Sequence, residues 1–291
     1  MRQFLLILII FAYSCSSDDL DNNQPIDSTL QTIIHDGIER QYLLYLPENY
    51  DGITKLPLML NFHGFAGNVK EYMSDTNMRV LADVENFILV YPQGLELGGF
   101  SHWNPSLEGA DNKSDSDDLG FIESLINNLS SQNLIDNKRI YACGFSNGGM
   151  MSYGLANHKS NLIAAIGSVS GSMLDSDIIP SQPMPIIKIH GTADEVIPYN
   201  GNSDYKSVNS ILDFWINHNK TNTNPVLNNF DDNGTLISSY KYIEGINNVS
   251  IEHYKVIDGR HVWFDISFNG KSTEKLIWDF VSQYDINGLI Q

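Results

Sequence analysis

Apolar runs and amphipathic stretches alternate along most of this chain. Six short runs are apolar almost throughout and are bounded by Gly, Pro or Asn, as expected of strands that are buried on both faces. These runs are residues 56–62, 87–91, 139–144, 162–170, 184–190 and 251–257. Four stretches have helical spacing: residues 118–131, 148–158, 207–219 and 272–284. The alternation predicts the α/β class, with a doubly wound, mostly parallel sheet and helices on both of its faces.

Two further stretches complete the predicted domain. Residues 31–34 and 41–46 flank the turn sequence His35-Asp36-Gly37, which predicts an antiparallel hairpin at one edge of the sheet. Residues 219–234 are rich in Asn, and we expect a loop there. Because no internal repeat or low-complexity linker follows residue 28, residues 29–291 are expected to form one domain.

The N-terminal residues have the pattern of a targeting segment. One basic residue, Arg2, precedes an apolar run over residues 4–13, which is typical of a secretory signal peptide and short for a membrane span. Ser14-Cys15-Ser16 then resembles the lipobox of bacterial lipoproteins, in which the cysteine is acylated and becomes the mature N-terminus. We therefore expect a signal peptide over residues 1–14 and a lipid-anchored polar tether over residues 15–28. The expected location is extracytoplasmic, as an outer-membrane or cell-surface lipoprotein or a secreted protein.

Charge and cysteine content argue against nucleic acid partners and against a disulfide. The chain has a net charge of −18, which repels nucleic acid phosphates and anionic lipid headgroups, so we expect membrane contact only through the lipid anchor. Its two cysteines, Cys15 and Cys143, lie in such different contexts that no disulfide is expected. Cys143 belongs to an apolar strand-like run and is interpreted as a buried, unreactive thiol.

The run Gly144-Phe145-Ser146-Asn147-Gly148-Gly149 follows a predicted strand and opens a predicted helix. This is the context of a nucleophile elbow, in which glycines allow a cramped turn that exposes a serine. A serine hydroxyl needs a base, and the base needs an orienting carboxylate. Ser146 is therefore the candidate nucleophile, and its partners are sought further along the chain.

Two later loops supply an acid and a base. Asp194 follows the predicted strand 184–190, and His261 follows the predicted strand 251–257, so the chain order is Ser, Asp, His. We assign Asp194 as the acid and His261 as the base. His190 and His253 are interpreted as packed core residues, and the fallback acids are Asp258, Asp231 and Asp232.

The oxyanion of a tetrahedral intermediate requires two backbone N–H donors that already point at it. The elbow offers the amide of Asn147, and the loop after strand 56–62, which reads His63-Gly64-Phe65, offers the amide of Phe65. His63 is expected to hold this loop, with substrate contact as a second role. Asp117 and Asp118 precede a predicted helix and are interpreted as its caps.

Five landmarks occur in order along the chain: His63-Gly64; Trp103-Asn104; Asp117-Asp118-Leu119-Gly120-Phe121; Arg139-Ile140-Tyr141 running into Gly144-Phe145-Ser146-Asn147-Gly148-Gly149-Met150; and His190-Gly191-Thr192-Ala193-Asp194 with Pro198-Tyr199. Together they resemble the polyhydroxybutyrate depolymerase and feruloyl esterase group, the family-1 carbohydrate esterases within the α/β hydrolases. The resemblance implies a Ser146, Asp194 and His261 triad, no metal, no cofactor and an acyl-enzyme route. It departs at His261, since the run His261-Val262-Trp263-Phe264 replaces the family's Thr-Trp-Pro after the histidine.

Trp103 and Trp263 are candidate walls for an aromatic acyl group or a sugar, with an ordinary packed tryptophan as the alternative for each. We expect a monomeric feruloyl or acetyl esterase acting on plant-type polysaccharide, with hydroxyalkanoate esters as the nearest variant. The alternatives are a serine peptidase of the prolyl-oligopeptidase type and a catalytically inactive, carbohydrate-binding surface lipoprotein.

Overall fold

The computed structural model of the protein describes residues 29–107 and 112–291. Its strands are β1 (Thr29–His35), β2 (Ile38–Tyr45), β3 (Leu56–Phe62), β4 (Ile88–Pro92), β5 (Leu95–Leu97), β6 (Phe100–His102), β7 (Ile135–Phe145), β8 (Ala165–Val169), β9 (Ile186–Gly191), β10 (Val226–Asp232), β11 (Thr235–Tyr242), β12 (Ile251–Val256), β13 (Tyr284–Asp285) and β14 (Gly288–Leu289). Its helices are α1 (Val69–Asp75), α2 (Arg79–Glu85), α3 (Asp118–Ser131), α4 (Asn147–His158), α5 (Val208–Asn219) and α6 (Thr273–Val281).

Ten of these strands form one sheet in the order β1-β2-β4-β3-β7-β8-β9-β12-β11-β10. The six strands from β4 to β12 in this order run parallel, and the pairs at either end are antiparallel. All seven residues of β3 are buried, which explains why its sequence is apolar without alternation. The carboxyl ends of the parallel strands therefore meet at one edge of the sheet, where ligand sites of such folds are found.

Two apolar cores lie on opposite faces of the sheet. One contains the buried faces of α3, α4 and α5, including Trp215, and the other contains those of α1, α2 and α6, including Trp278. Helices thus cover both faces, which confirms the predicted doubly wound α/β fold. The hairpin predicted at residues 31–46 is also confirmed, since β1 and β2 pair antiparallel at one edge.

The prediction of a loop over residues 219–234 is wrong for its second half. Val226–Asp232 is strand β10, which pairs antiparallel with β11 and forms the other edge of the sheet. An edge strand is half solvated, so it tolerates the Asn and Asp residues that weaken the strand signal in the sequence. The intervening turn is Asn233-Gly234, and both residues have positive φ, as a two-residue hairpin requires.

The remaining predictions concern Cys143, the two aspartates at the start of α3 and the N-terminal segment. Cys143 is fully buried, as predicted, and the Asp117 side chain caps α3 by accepting from the amide of Gly120. Asp118 is instead buried and accepts a 2.6 Å hydrogen bond from Arg40. The predicted signal peptide, Cys15 and the tether lie outside the described residues, within which no helix combines the length and apolarity needed to span a membrane.

Candidate active site

Ser146 lies on the tight turn between β7 and α4. Its φ of 53° and ψ of −117° put a non-glycine residue in a sparsely populated region, which costs of order 1–3 kcal/mol. A Cβ atom at Gly144 would overlap the backbone of Gly148, and a Cβ atom at Gly148 would overlap the carbonyl oxygen of Phe62. The two glycines therefore allow the turn that brings Ser146 to the carboxyl edge of the sheet.

His261 lies between Ser146 and Asp194. Its Nε2 atom is 2.9 Å from the Oγ atom of Ser146, and its Nδ1 atom is 2.8 Å from Oδ2 of Asp194. An ionised carboxylate only accepts hydrogen bonds, so Nδ1 carries the proton and Nε2 is free to accept the proton of the serine hydroxyl. The structure thus brings the three predicted residues together with the geometry of a nucleophile, a base and an orienting acid.

Asp194 is buried on the loop that follows β9, and its environment keeps it ionised. Burial by itself raises the pKa of this carboxyl, but hydrogen bonds from His190 and His261 and from the backbone N–H of Ile197 outweigh it, and the pKa is lowered well below its ordinary value. Its Oδ1 atom accepts from the amides of Val196 at 2.9 Å and Ile197 at 2.8 Å, which leaves Oδ2 for His261. The carboxylate is therefore both oriented and charged at neutral pH.

None of the alternative bases and acids is hydrogen-bonded to Ser146 within the described residues, where the Ser146 hydroxyl pairs with His261. His253 is buried between the hydroxyl of Tyr199 and the carbonyl of Lys188. His190 is buried, as expected of a packed core residue, and its Nε2 atom lies 2.8 Å from the carbonyl oxygen of Ile197 and 3.3 Å from Oδ2 of Asp194. Among the fallback acids, Asp231 accepts from the amide of Gly234 in its own hairpin turn, Asp232 accepts from the amide of Ser267, and Asp258 is exposed.

The two predicted oxyanion donors flank the nucleophile. Asn147 directly follows Ser146, and a Cβ atom at Gly64, the residue before Phe65, would lie 3.5 Å from the Cβ atom of Ser146. Neither the amide of Phe65 nor that of Asn147 has a hydrogen-bond acceptor within residues 29–107 and 112–291. Two unpaired N–H groups beside a nucleophile are what a developing oxyanion needs.

The His63 side chain holds the loop that carries Gly64 and Phe65 through hydrogen bonds. The ring accepts from the amide of Gly94 through Nε2 at 3.0 Å and donates from Nδ1 to the carbonyl of Gly64 at 2.6 Å. Burial lowers the pKa of His63 to about 4, so the ring is neutral at pH 7. His63 is completely buried, so the second role we expected for it, substrate contact, is wrong in this structure.

The expectation that Trp103 forms a wall of the substrate site is also wrong, because Trp103, like His63, is buried. Trp103 is fully buried, and its indole N–H donates to the carbonyl of His63 at 3.0 Å. Its backbone N–H and carbonyl form a pair of hydrogen bonds with the side-chain amide of Asn147, at 2.7 and 3.0 Å. Trp103 therefore ties the Phe65 loop to the start of α4 and fixes the two oxyanion donors relative to each other.

Trp263 lies in the wall of a cavity of about 630 Å³ beside His261. Phe145 and Tyr72 also line this cavity, and the indole N–H of Trp263 donates to Glu274 at 2.6 Å. The remaining carboxylates of the lining are those of Asp75 and Asp265. Of the three predicted substrate-binding residues, Trp263 is the one that lines a cavity together with the base His261.

The sequence analysis missed the short hairpin of β5 and β6, which brings Phe100 onto the ring of Phe65. The signal was present as Gly98-Gly99, a two-residue turn in which both residues have positive φ. Within the described residues, the side chains of His35, Asp36 and Asp117 form one group with metal-ligand spacing, but both carboxylates are exposed. Exposed acidic groups of this kind are common without a bound ion, so the group does not by itself indicate a metal site.

A parallel sheet with a strained serine between a strand and a helix defines the α/β-hydrolase class. The chain belongs to the phospholipase/carboxylesterase family. The sequence pattern of that family matches residues 70–229, which is more than half of this chain.

Individual relatives agree with this membership. The chain is 30% identical over 252 residues to the bifunctional acetylxylan esterase/xylanase XynS20E of Neocallimastix patriciarum, a match that covers 87% of this chain and 34% of that protein. It is 30% identical over 170 residues to feruloyl esterase B of Piromyces equi, which covers 56% of this chain and 30% of that protein. The chain thus spans about a third of each relative's length. The acetyl xylan esterase structure from Aspergillus awamori shares the fold, with a TM-score of 0.59 at 14% identity, covering 80% of this chain and 94% of that one.

Proposed function

We propose that this protein is a serine carboxylic-ester hydrolase that uses Ser146, His261 and Asp194 and forms an acyl-enzyme. The observation that carries the proposal is the pair of contacts of His261, 2.9 Å to the serine hydroxyl and 2.8 Å to the carboxylate. The membership in a carboxylesterase family and the names of the relatives support the same reaction.

In the first half of the reaction, Oγ of Ser146 attacks the ester carbonyl carbon while its proton passes to Nε2 of His261. The carbonyl oxygen becomes an oxyanion and accepts hydrogen bonds from the amides of Phe65 and Asn147. The negative charge of Asp194 stabilises the imidazolium. His261 then gives its proton to the leaving alkoxide, the alcohol departs, and the acyl group remains on Ser146.

In the second half, His261 removes a proton from a water molecule, which attacks the acyl carbon. The same two amides bind the second oxyanion. When this intermediate collapses, the carboxylic acid leaves and Oγ of Ser146 regains its proton from His261, so the enzyme returns to its starting state.

The substrate class we propose is a feruloyl or acetyl ester on a plant-type polysaccharide, with hydroxyalkanoate esters as the nearest variant. The named relatives support this class, although the chain matches only about a third of their length. We also propose an extracytoplasmic protein held by a lipid on Cys15. This part rests on the pattern of residues 1–28 alone and stays a prediction.

The experiment is hydrolysis of p-nitrophenyl acetate and methyl ferulate by the purified protein and by Ser146→Ala. We expect the variant to lose at least about 10⁴-fold in kcat, because no other group can form the acyl-enzyme. Ser152→Ala is the matched control, since Ser152 lies on the same helix and its buried hydroxyl bonds only to the carbonyl of Gly148.

A fluorophosphonate probe should label the protein and Ser152→Ala, but not Ser146→Ala. Unchanged turnover in Ser146→Ala would end the proposal. Faster cleavage of a peptide amide than of any ester would favour the peptidase alternative, and glycan binding without probe labelling would favour the inactive lipoprotein.

A further inference from the structure

Two phenylalanine rings lie stacked and exposed, and one of them belongs to Phe65, the residue after Gly64, which lies against Ser146. The rings of Phe65 and Phe100 have centroids 5.7 Å apart and planes inclined by 22°, and the two residues are 51% and 53% exposed. Contiguous exposed apolar surface of this kind marks a place where a ligand or partner binds. We refer to the Phe65 and Phe100 rings as the aromatic platform.

The platform is attached firmly to the catalytic machinery. Ser101, which follows Phe100, accepts from the amide of Ala66 at 2.7 Å through its carbonyl, and its hydroxyl donates to the carbonyl of Gly67. These bonds hold the hairpin against the loop that carries the Phe65 amide. The position of the two rings relative to the proposed oxyanion site is therefore fixed by the fold.

The proposed reaction assigns a side of the site to each half of the ester. The attacked carbon bears four groups: Oγ of Ser146, the oxyanion, the leaving oxygen and the acyl carbon. The oxyanion lies at the amides of Phe65 and Asn147, and the leaving oxygen must come within hydrogen-bond distance of Nε2 of His261 to receive its proton. The alcohol then occupies the cavity beside His261 and Trp263. The acyl carbon takes the remaining direction, which leaves the aromatic platform, on the loop that carries the Phe65 amide, for the acyl half.

We propose that the aromatic platform binds the acyl half of the substrate and that this half carries a planar aromatic ring. This inference rests on the proposed ester hydrolysis. Flat aromatic groups favour offset stacking on exposed rings, whereas an acetyl group is too small to cover the platform. The enzyme is thus expected to select aromatic acyl groups through Phe65 and Phe100, while Trp263 and its carboxylate-lined cavity face the alcohol.

The test compares esters that differ in one half at a time. p-Nitrophenyl ferulate and p-nitrophenyl acetate share the alcohol, whereas methyl ferulate and a feruloyl arabinoside share the acyl group. For Phe100→Ala we expect kcat/KM to fall about fivefold on all three ferulates and less than about twofold on the acetate, as loss of one aromatic contact predicts. Phe100→Tyr keeps the ring and should keep the ratio of ferulate to acetate turnover.

Leu97→Ala is the matched control, because it removes an exposed apolar side chain from the same hairpin without removing a ring. It should leave the ferulate-to-acetate ratio unchanged. An equal loss on ferulate and acetate in Phe100→Ala, or a loss confined to the arabinoside, would overturn the inference. Absence of ester hydrolysis by the unaltered protein would instead refute the proposed function, so the two failures are distinguishable.

Discussion

Two loops of this protein each present a histidine at the carboxyl edge of the sheet, yet they use it differently. His63 follows β3 and His261 follows β12, and both strands belong to the parallel part of the sheet. His63 is completely buried and has both ring nitrogens bonded to its surroundings, to Gly64 and Gly94. His261 keeps 15% of its side chain exposed and turns one nitrogen to the hydroxyl of Ser146. Burial and partners therefore decide whether a histidine supports a loop or moves a proton.

The largest effect is expected from removal of the His261 ring. His261→Ala is expected to lower kcat for ester hydrolysis by about 10⁴-fold or more, because Ser146 then has no base. Stability should change by less than about 1 kcal/mol, since the side chain is partly solvated. Rates on p-nitrophenyl acetate and urea unfolding measure the two effects.

His218→Ala is the control for the loss of an imidazole, since within the described residues the hydrogen bond of His218 is to the carbonyl of Gln182, away from Ser146. This variant should remain fully active. If His261→Ala retained a tenth of the activity, another base would have to serve Ser146.

The opposite result is expected for the buried ring. His63→Ala should lower the free energy of unfolding by about 3 kcal/mol, because it leaves a cavity and removes the acceptor of the buried Gly94 amide. Activity per folded molecule should fall by less than about a hundredfold, since the oxyanion donors are backbone amides that remain. Calorimetric or urea unfolding, with active sites counted by fluorophosphonate labelling, separates the two quantities. A stable His63→Ala protein without activity would assign His63 a chemical role.

A smaller effect is expected from pH. The pKa of His63 is about 4 in the folded protein, below its ordinary 6.5, so the unfolded chain binds more protons between these values. Stability is therefore lost as pH falls through this window, and His63 contributes a loss of about 2 kcal/mol between pH 7 and pH 5. His63→Ala should lose correspondingly less over the same interval in urea unfolding. The other buried histidines act equally in both proteins, so identical pH slopes would contradict the prediction.

Much of the fold was predictable from the sequence, because strands buried on both faces must be apolar throughout. The predicted strand over residues 56–62 matches β3, and the predicted helix over residues 118–131 matches α3. The chain order of Ser146, Asp194 and His261 was enough to select three side chains that meet in space. Each follows a predicted strand of the parallel sheet, so the strand pattern predicts both the fold and the place of the site.

Other parts depend on tertiary contacts that leave little trace in the sequence. The sequence around Trp103 is equally consistent with a wall of the ligand site and with a packed core ring. The hydrogen bonds of Trp103 to His63 and Asn147 distinguish these two roles, and they are visible in the structure alone. Helices α1 and α2 are each seven residues long, too short for a clear periodic signal. Strand β10 is rich in Asn and Asp, although the turn sequence Asn233-Gly234 marks its hairpin.

The backbone of Ser146 has a consequence for how this protein can change over generations. Its φ of 53° is comfortable for glycine and strained for serine, so the fold would gain stability from Ser146→Gly. In a descendant that no longer needs the nucleophile, the fold would not select against Ser146→Gly. The serine thus marks a trade-off, in which a strained turn at the sheet edge is also one where a stabilising mutation would abolish activity.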